Sequence, residues 1–255
     1  MKLEKQYHFF MGLPRSGTTL LTNIINQNSE IFATDISSLP YLLYCNERDW
    51  SKNPSVLANK IDEQIVNIST SLINTCWQHK SQKIILDRHL NWANNSSIIP
   101  KMFNENSKFI VLVRDIHKIV ASILQQHYHS APTSIIDKHL IENRKFQNDA
   151  MRCDFIFHSI IQPTYDILKR LSENNSNVLF LDYDILMEER SLNKMYNFLN
   201  IENFEHNFNV PYIKDDEQKM YGIGGMTDVS LNAEDEILNN QHVMKYSELK
   251  LEFWK

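Results

Sequence analysis

The sequence predicts an α/β fold in three layers, with a mostly parallel central sheet flanked by helices. Two observations predict it. Short apolar runs of four to five residues recur along the chain, as in strands that are buried on both faces of a sheet. Segments with apolar residues at helical spacing lie between these runs, and this alternation is typical of βαβ units.

The apolar runs predict strands at Tyr7–Met11, Lys83–Asp87, Phe109–Val113 and Val178–Leu181. A turn-rich loop follows the first run. Residues Thr18–Asn28 come next, and their leucines and isoleucines fall on one face of a helix. The chain therefore begins as strand, loop and helix.

Helical spacing returns between the later strands. Apolar residues recur at this spacing in 116–127 and 192–199, and residues 55–78 and 139–172 are also predicted to be helical. The interval Cys45–Ser55, with Trp50 and Pro54, is predicted to be a long loop. Since no linker-like stretch interrupts the sequence, residues 1–255 are predicted to form a single domain.

Composition excludes several classes of protein. With 255 residues, 42% hydrophobic and a net charge of −5, the chain can bury a sizeable core. The small net charge and the scattered lysines and arginines argue against a nucleic-acid partner. No stretch approaches the roughly 20 apolar residues of a membrane span. Three widely spaced cysteines without a CxxC motif indicate reduced thiols, so we expect a cytoplasmic protein.

Glycine is scarce and clustered. The chain has five glycines, whereas an average usage of about 7% would give about 18. Gly12 and Gly17 bracket a loop near the start, and Gly222, Gly224 and Gly225 lie together near the end. Such placement indicates backbone that must bend or approach another group closely.

The first glycine-bracketed loop, GLPRSGTT at 12–19, follows a strand and opens a helix. In that context backbone N–H groups and the positive end of the helix dipole bind an anion. The spacing is close to the Walker loop GxxxxGK[ST], but Thr18 stands in place of the lysine. Because that lysine contacts the β- and γ-phosphates of a nucleoside triphosphate, the loop predicts a phosphate site and argues against a kinase or nucleotide hydrolase.

The run GLPRSGTTLL resembles the 5′-phosphosulfate loop of the sulfotransferase family, in the arginine form of its bacterial, Golgi and tyrosylprotein branches. These enzymes transfer a sulfuryl group from 3′-phosphoadenosine 5′-phosphosulfate (PAPS) to an acceptor. The resemblance implies a fold similar to the P-loop NTPases. It also implies that the 5′-phosphosulfate is held by Arg15, Ser16, Gly17, Thr18 and Thr19.

Two further runs resemble the same family. KFIVLVRD ends a strand near Arg114, and Ser122 follows eight residues later, the family's spacing for the 3′-phosphate. Since Ser122 lies about two turns into the next helix, the intervening loop must fold back for both to meet one phosphate. VLFLDYD resembles the strand before the family's Tyr-Glu-Asp-Leu, which implies that Tyr183 lies near the adenine. The glycines at 222–225 fall where another branch has an Arg-Lys-Gly loop, here without the basic residues.

Sulfuryl transfer needs a base for the acceptor proton and positive groups at the developing charge. Arg15 is expected to stabilise the leaving phosphate. His89 and the leucine after it resemble the family's His-Leu-Pro, whose histidine takes the proton. Asp87-Arg88 resembles an Asp-Lys pair of other branches, whose cation stabilises the transferred group. We expect His89 to be the base and Arg88 its electrostatic partner, with Asp87 and Asp35 as alternative bases.

The expected function is a PAPS-dependent sulfotransferase that acts on a hydroxyl or amine acceptor by in-line displacement. The acceptor can be a small molecule, a carbohydrate or a peptide. A P-loop small-molecule kinase and a catalytically silent nucleotide-binding module are the alternatives. No metal-ligand spacing occurs among the ten histidines, so no metal is expected.

Overall fold

The central sheet is entirely parallel. A computed structural model describes residues 3–50, 52–59, 62–94, 103, 107–130, 134–209 and 235–251. Its strands are β1 (Gln6–Gly12), β2 (Ile31–Ala33), β3 (Ile84–Arg88), β4 (Phe109–Val113) and β5 (Val178–Asp182). They lie in the order β2-β3-β1-β4-β5, and every neighbouring pair is parallel. The predicted α/β fold is confirmed.

Helices occupy the connections between the strands. Those before β4 are α1 (Thr18–Ile25), α2 (Leu39–Trp50), α3 (Pro54–Asn59), α4 (Asp62–Trp77) and α5 (Asn91–Asn94). Those after β4 are α6 (Ile116–Ser130), α7 (Ile135–Glu142), α8 (Asp149–Phe155), α9 (Gln162–Asn174), α10 (Glu189–Leu199), α11 (Asp235–Leu238) and α12 (Gln241–Met244). A π-helical turn, Ile156–Ile161, joins α8 to α9.

The sheet separates two apolar cores and makes the middle of three layers. Phe10, Ile110 and Leu112 pack with α1 and α10 on one face. Phe9 and Val111, one residue away along the same strands, pack with α6 and α9 on the other. This alternation follows from the two-residue period of a strand, and central strands with apolar side chains on both faces produce the continuous apolar runs of the sequence.

The order of the strands places a crevice between β1 and β4. From β1 the chain crosses to β2 through α1 on one face, and from β4 it crosses to β5 through α6 on the opposite face. The loops that follow these adjacent strands therefore diverge. Open α/β sheets bind ligands at the carboxyl end of such a point of reversal.

The structure corrects the sequence prediction in the first third of the chain. The predicted loop Cys45–Ser55 is wrong, because α2 continues through Trp50 and α3 begins at Pro54. A proline is well suited to the first turn of a helix, where its missing N–H would have no partner. The three-residue strand β2 has no counterpart in the sequence prediction. Residues 55–78 and 139–172 are divided into several helices.

None of the helices in the described part of the chain is long and apolar enough to cross a membrane.

A matched pair of leucines tests the position of the core. Leu124 on α6 is fully buried, whereas Leu57 on α3 is 62% exposed. Leu124→Ala is expected to lower the free energy of unfolding by about 2–5 kcal/mol, because it leaves a cavity. Leu57→Ala is expected to stay within about 0.5 kcal/mol of the parent. Urea denaturation measures both, and equal effects would contradict the burial described here.

Candidate active site

The loop between β1 and α1 is a tight turn built around Ser16. This serine is fully buried, and its backbone N–H and Oγ both donate to the carbonyl oxygen of Leu13, at 3.2 and 2.6 Å. Arg15 and Gly17 have left-handed φ angles of 60° and 88°. Gly17 is the N-cap of α1, and among the residues described no side chain caps this end of the helix. A helix start of this kind has N–H groups available to an anion.

Close contacts explain both glycines of this loop. A Cβ at Gly12 would lie 2.8 Å from the carbonyl oxygen of Leu112, on the adjacent β4. A Cβ at Gly17 would lie 2.7 Å from Cδ2 of Tyr183, and the φ angle there is also one that side chains disfavour. Gly12 thus lets the first loop lie close to β4. Gly17 permits the left-handed bend and lets the ring of Tyr183 pack against the loop.

The residues predicted for the two phosphates of PAPS lie together. Arg114 comes directly after β4, is 3% exposed, and donates from Nη1 to the carbonyl oxygen of Arg15 at 3.0 Å. Ser122, on α6 and equally buried, accepts from Nε of Arg15 at 3.0 Å. The segment after β4 therefore folds back over the first loop. Two positive side chains and a hydroxyl group from segments about 100 residues apart meet at one place.

Tyr183 lies beneath this cluster. It begins a short 3-10 turn after β5, and its ring centroid is 4.0 Å from the guanidinium carbon of Arg114. Burial lowers the pKa of Arg114 and raises that of Tyr183, but an arginine stays protonated in proteins. The ring offsets part of the cost of burying that charge. The structure thus places Tyr183 against Gly17 and Arg114.

An ion pair that the sequence analysis missed joins the turn after β5 to α6. The Nζ of Lys118 lies 2.5 Å from Oδ2 of Asp184 and 3.4 Å from Oδ2 of Asp115. The i,i+3 spacing of Asp115 and Lys118 is a signal in the sequence, whereas the approach of Asp184 depends on the tertiary fold. This pair restrains the segment that carries Tyr183.

The residues predicted to do chemistry end the neighbouring strand, β3. Arg88 lies opposite Phe10 in the parallel ladder, so it ends at the same edge as the first loop. Its side chain is on the α1 face of the sheet, the face to which Leu86 also points. Arg88 is 6% exposed. A buried cation therefore lies beside the first loop.

His89 follows Arg88 and is partly exposed. Its Nδ1 accepts a hydrogen bond from the backbone N–H of Asn91 at 3.0 Å, which assigns the proton of the neutral ring to Nε2. Burial, with a smaller effect from Arg88, lowers the pKa of His89 below its ordinary 6.5. The ring is therefore neutral at pH 7.

The two alternative bases differ in exposure. Asp87 is fully buried, and its oxygens accept from Ser37 Oγ at 3.1 Å and Trp92 Nε1 at 2.8 Å. Its carboxylate does not reach the surface. Asp35 is exposed in the loop after β2, and the next-door Thr34 accepts from the backbone N–H of Arg88 through Oγ1 at 2.7 Å. Asp35 thus lies on the loop beside β3.

The second glycine cluster, Gly222, Gly224 and Gly225, lies outside the described residues.

Comparison with protein families decides the class of this site. The model of the sulfotransferase domain matches residues 6–221, which include β1 to β5 and the residues predicted for the donor and the base, but not the second glycine cluster. The chain belongs to the sulfotransferase family. The protein is accordingly a transferase of that family, as the loop and the strand ending in Arg114 predicted.

Solved structures agree on the fold. The sulfotransferase domain from the curacin biosynthetic pathway is similar with a TM-score of 0.54 and 14% identity, over 98% of this chain and 93% of that one. The sulfotransferase domain from the Synechococcus PCC 7002 olefin synthase gives 0.53 and 15%, over 98% and 97%. No curated protein sequence matches the chain significantly.

The contact between Gly17 and Tyr183 can be tested by a double-mutant cycle. Gly17→Ala is expected to lower the free energy of unfolding by at least about 1 kcal/mol, because an alanine there is strained and meets the ring. In a Tyr183→Ala background the ring is gone, so Gly17→Ala should lower the free energy of unfolding by at least about 0.5 kcal/mol less than it does in the parent. Denaturant titration of the four proteins measures the difference. Equal costs in the two backgrounds would show that the ring does not limit the loop.

Proposed function

We propose that this sulfotransferase uses PAPS as its donor and transfers the sulfuryl group to a hydroxyl or amine acceptor by in-line displacement. The observation that carries the proposal is the meeting of Arg15, Arg114 and Ser122 at the crevice between β1 and β4. A donor with phosphate groups at both ends of its ribose needs two anion sites a few ångströms apart. The adjacent loops after β1 and β4 supply both.

The 5′-phosphosulfate is assigned to the first loop. Its ligands would be the backbone and side chains of Arg15, Ser16, Gly17, Thr18 and Thr19. The open start of α1 and the left-handed residues of the loop support this assignment, because amides arranged in this way enclose anions. Thr18, in the position of the Walker lysine, leaves the loop without the cation that a nucleoside triphosphate requires.

The 3′-phosphate is assigned to Arg114 and Ser122. Arg114 is a buried cation whose position is set by the Arg15 carbonyl and the ring of Tyr183, so it is preorganised for an anion. Tyr183 would then support the nucleotide site through Arg114, while its edge borders the place proposed for the adenine. This second anion site separates a bisphosphate donor from a simple nucleotide.

The chemistry would take place between the first loop and the end of β3. The acceptor oxygen or nitrogen forms a bond to sulfur while the bond from sulfur to the 5′-phosphate oxygen breaks, and the bisphosphate leaves. Arg15 and Arg88 would stabilise the charge that develops on the sulfuryl and phosphate oxygens. The acceptor proton would pass to His89, which is neutral at pH 7 as a base must be.

The hydrogen bond at Nδ1 of His89 affects whether this histidine can act as the base. In the tautomer described, Nδ1 is the basic nitrogen of His89, and it already accepts from the N–H of Asn91. Taking up the acceptor proton therefore requires that this bond be given up. Asp35, which is exposed on the adjacent loop, is the second candidate for the base.

A single domain over residues 1–255 and a cytoplasmic location stay predictions. The three cysteines are free thiols, which supports a reducing compartment. The proposed acceptor is a small molecule, a carbohydrate or a peptide.

Calorimetry tests the donor. We expect 3′,5′-adenosine bisphosphate to bind more tightly than ATP–Mg, and Arg114→Ala to weaken bisphosphate binding by about 10- to 100-fold, the value of a hydrogen bond to a charged group. Arg170→Ala, which alters an exposed arginine of α9, is the matched control and should bind like the parent. Tighter binding of ATP–Mg would favour the kinase alternative and refute the donor assignment.

Transfer of labelled sulfate from PAPS to a panel of acceptors tests catalysis. We expect His89→Ala to lower kcat by about 10²- to 10⁴-fold, the usual effect of losing a general base, with bisphosphate affinity retained. Asp35→Ala is made in parallel. If His89→Ala keeps full activity and Asp35→Ala loses it, the base is Asp35. A parent protein that binds the bisphosphate but transfers no sulfate to any acceptor would support the catalytically silent module.

A further inference from the structure

A buried carboxylate lies directly beneath the proposed catalytic residues. Asp87 is 0% exposed on the α6 face of the sheet and accepts hydrogen bonds from two neutral donors, Ser37 Oγ and Trp92 Nε1. The neutral indole group of Trp77 also faces this carboxylate. The titratable groups that face it are the hydroxyl of Tyr7 on β1 and the thiol of Cys76 on α4. Burial raises the pKa of both groups, so both are neutral at pH 7. Such a carboxylate is costly to keep in a core.

The donor on one side belongs to the loop after β2. Ser37 donates from Oγ to Asp87, and its backbone N–H donates to the carbonyl oxygen of Arg88 at 3.0 Å. The same Oγ accepts from the backbone N–H of Leu39 at 3.2 Å, where α2 begins. Asp35 is two residues before Ser37. Thr34, on the other side of Asp35, is bonded to the backbone of Leu86 and Arg88. Asp35 is therefore held between Thr34 and the anchor at Ser37.

The donor on the other side belongs to α5. Trp92 is fully buried, and its ring centroid lies 4.5 Å from that of Phe9 in the core. Its indole N–H donates to the second oxygen of Asp87 at 2.8 Å. His89 lies three residues before Trp92 and accepts the backbone N–H of Trp92 through its carbonyl oxygen at 3.2 Å. The turn that carries His89 is thus fixed from the opposite direction.

We propose that Asp87 is a positioning residue for sulfuryl transfer: its carboxylate fixes the loop that carries Asp35 relative to the turn that carries Arg88 and His89. The inference rests on the proposed function, which places the reacting group between these segments. Asp87 itself does not touch the reactants, because it is fully buried. Its role is to receive one hydrogen bond from each of the two segments, which a neutral side chain cannot do equally well.

The buried charge of Asp87 lowers the free energy of unfolding. A residue with only a structural role would not require such a charge. Burial raises the pKa of its carboxyl to about 6 from the ordinary 3.8, against the opposing effect of its hydrogen bonds. The folded protein thus binds this proton more tightly than the unfolded chain, and the stabilisation is lost as the pH rises through about 6. At neutral pH the carboxylate is ionised and the fold carries the full cost.

The test compares Asp87→Asn with the parent. Asparagine keeps an oxygen for Trp92, but its amide N–H must donate to Ser37 Oγ instead of accepting from it. The charge is removed, and the hydroxyl hydrogen of Ser37 loses its charged acceptor. We expect kcat for sulfate transfer to fall by about tenfold or more, since small misplacements of reacting groups have effects of that size, with bisphosphate affinity unchanged. The Tm of the variant should exceed that of the parent at pH 7.5 and lose this advantage at pH 4.5. Asp166→Asn, at an exposed carboxylate of α9, is the matched control and should change neither kcat nor Tm.

Ser37→Ala keeps the proposal testable if Asp87→Asn does not fold. It removes the Oγ link and leaves the carboxylate in place. We expect a loss of kcat at unchanged bisphosphate affinity. We also expect the amide of residue 37, which donates to the carbonyl oxygen of Arg88, to exchange its hydrogen about tenfold faster, because the loop opens locally without the Oγ link.

The outcomes separate this inference from the proposed function. If the parent transfers sulfate and both variants keep its kcat, the positioning role is refuted while the function stands. If the parent transfers no sulfate, the proposed function fails, and amide exchange across residues 35–39 then decides the structural part. Unchanged exchange in Ser37→Ala would overturn the claim that Asp87 anchors this loop.

Discussion

The hydrogen bond from the Arg114 guanidinium to the carbonyl oxygen of Arg15 joins the two halves of the site. It connects the loop after β1 to the loop after β4 at 3.0 Å, and the parallel pairing of Gly12 with Leu112 brings those loops to the same edge. Ser122 closes the arrangement from α6 by accepting from the Arg15 side chain. Because the proposed donor carries anionic groups at two positions of its ribose, its assignment to these two loops depends on this contact.

The same region holds several features that cost stability elsewhere in proteins. Arg15 has a left-handed backbone, Arg114 is a nearly buried cation, and Asp87 is a buried carboxylate. Each is supported locally, by the bond from Arg114 to the Arg15 carbonyl oxygen, by the ring of Tyr183, and by Ser37 with Trp92, respectively. Functional sites typically combine strained backbone and buried charges, each stabilised by neighbouring residues. Here such features lie together at one edge of the sheet.

The sequence predicts the central strands, which the structure confirms, and the two motifs proposed to bind phosphate, because both leave local signals. Phe109–Val113 is apolar throughout since it is buried on both faces, and the first loop combines a fixed glycine spacing with an adjacent strand and helix. β2 is too short to produce a periodic signal. The sequence predicts a loop at Pro54, whereas α3 begins there. A proline is typical both of a loop and of the first turn of a helix, so the residue type does not distinguish them.

The supporting contacts could not be predicted, since they join segments distant in sequence. Nothing in the sequence around Ser37 indicates that its hydroxyl reaches Asp87, 50 residues away. The packing of Tyr183 on Gly17 and Arg114 depends in the same way on the strand order. Residue types and short spacings thus predict the anion-binding groups, whereas the fold determines what holds each group in position.

The central claim is that the loops after β1 and β4 form one site for one doubly phosphorylated ligand. The most direct measurement is a double-mutant cycle on the binding of 3′,5′-adenosine bisphosphate, with Arg15→Ala, Arg114→Ala and the combined variant. Because the two residues are in contact and would hold the same molecule, their effects should be non-additive by about 0.5–3 kcal/mol. Effects that add within about 0.3–0.5 kcal/mol, the range for independent positions, would contradict a shared site.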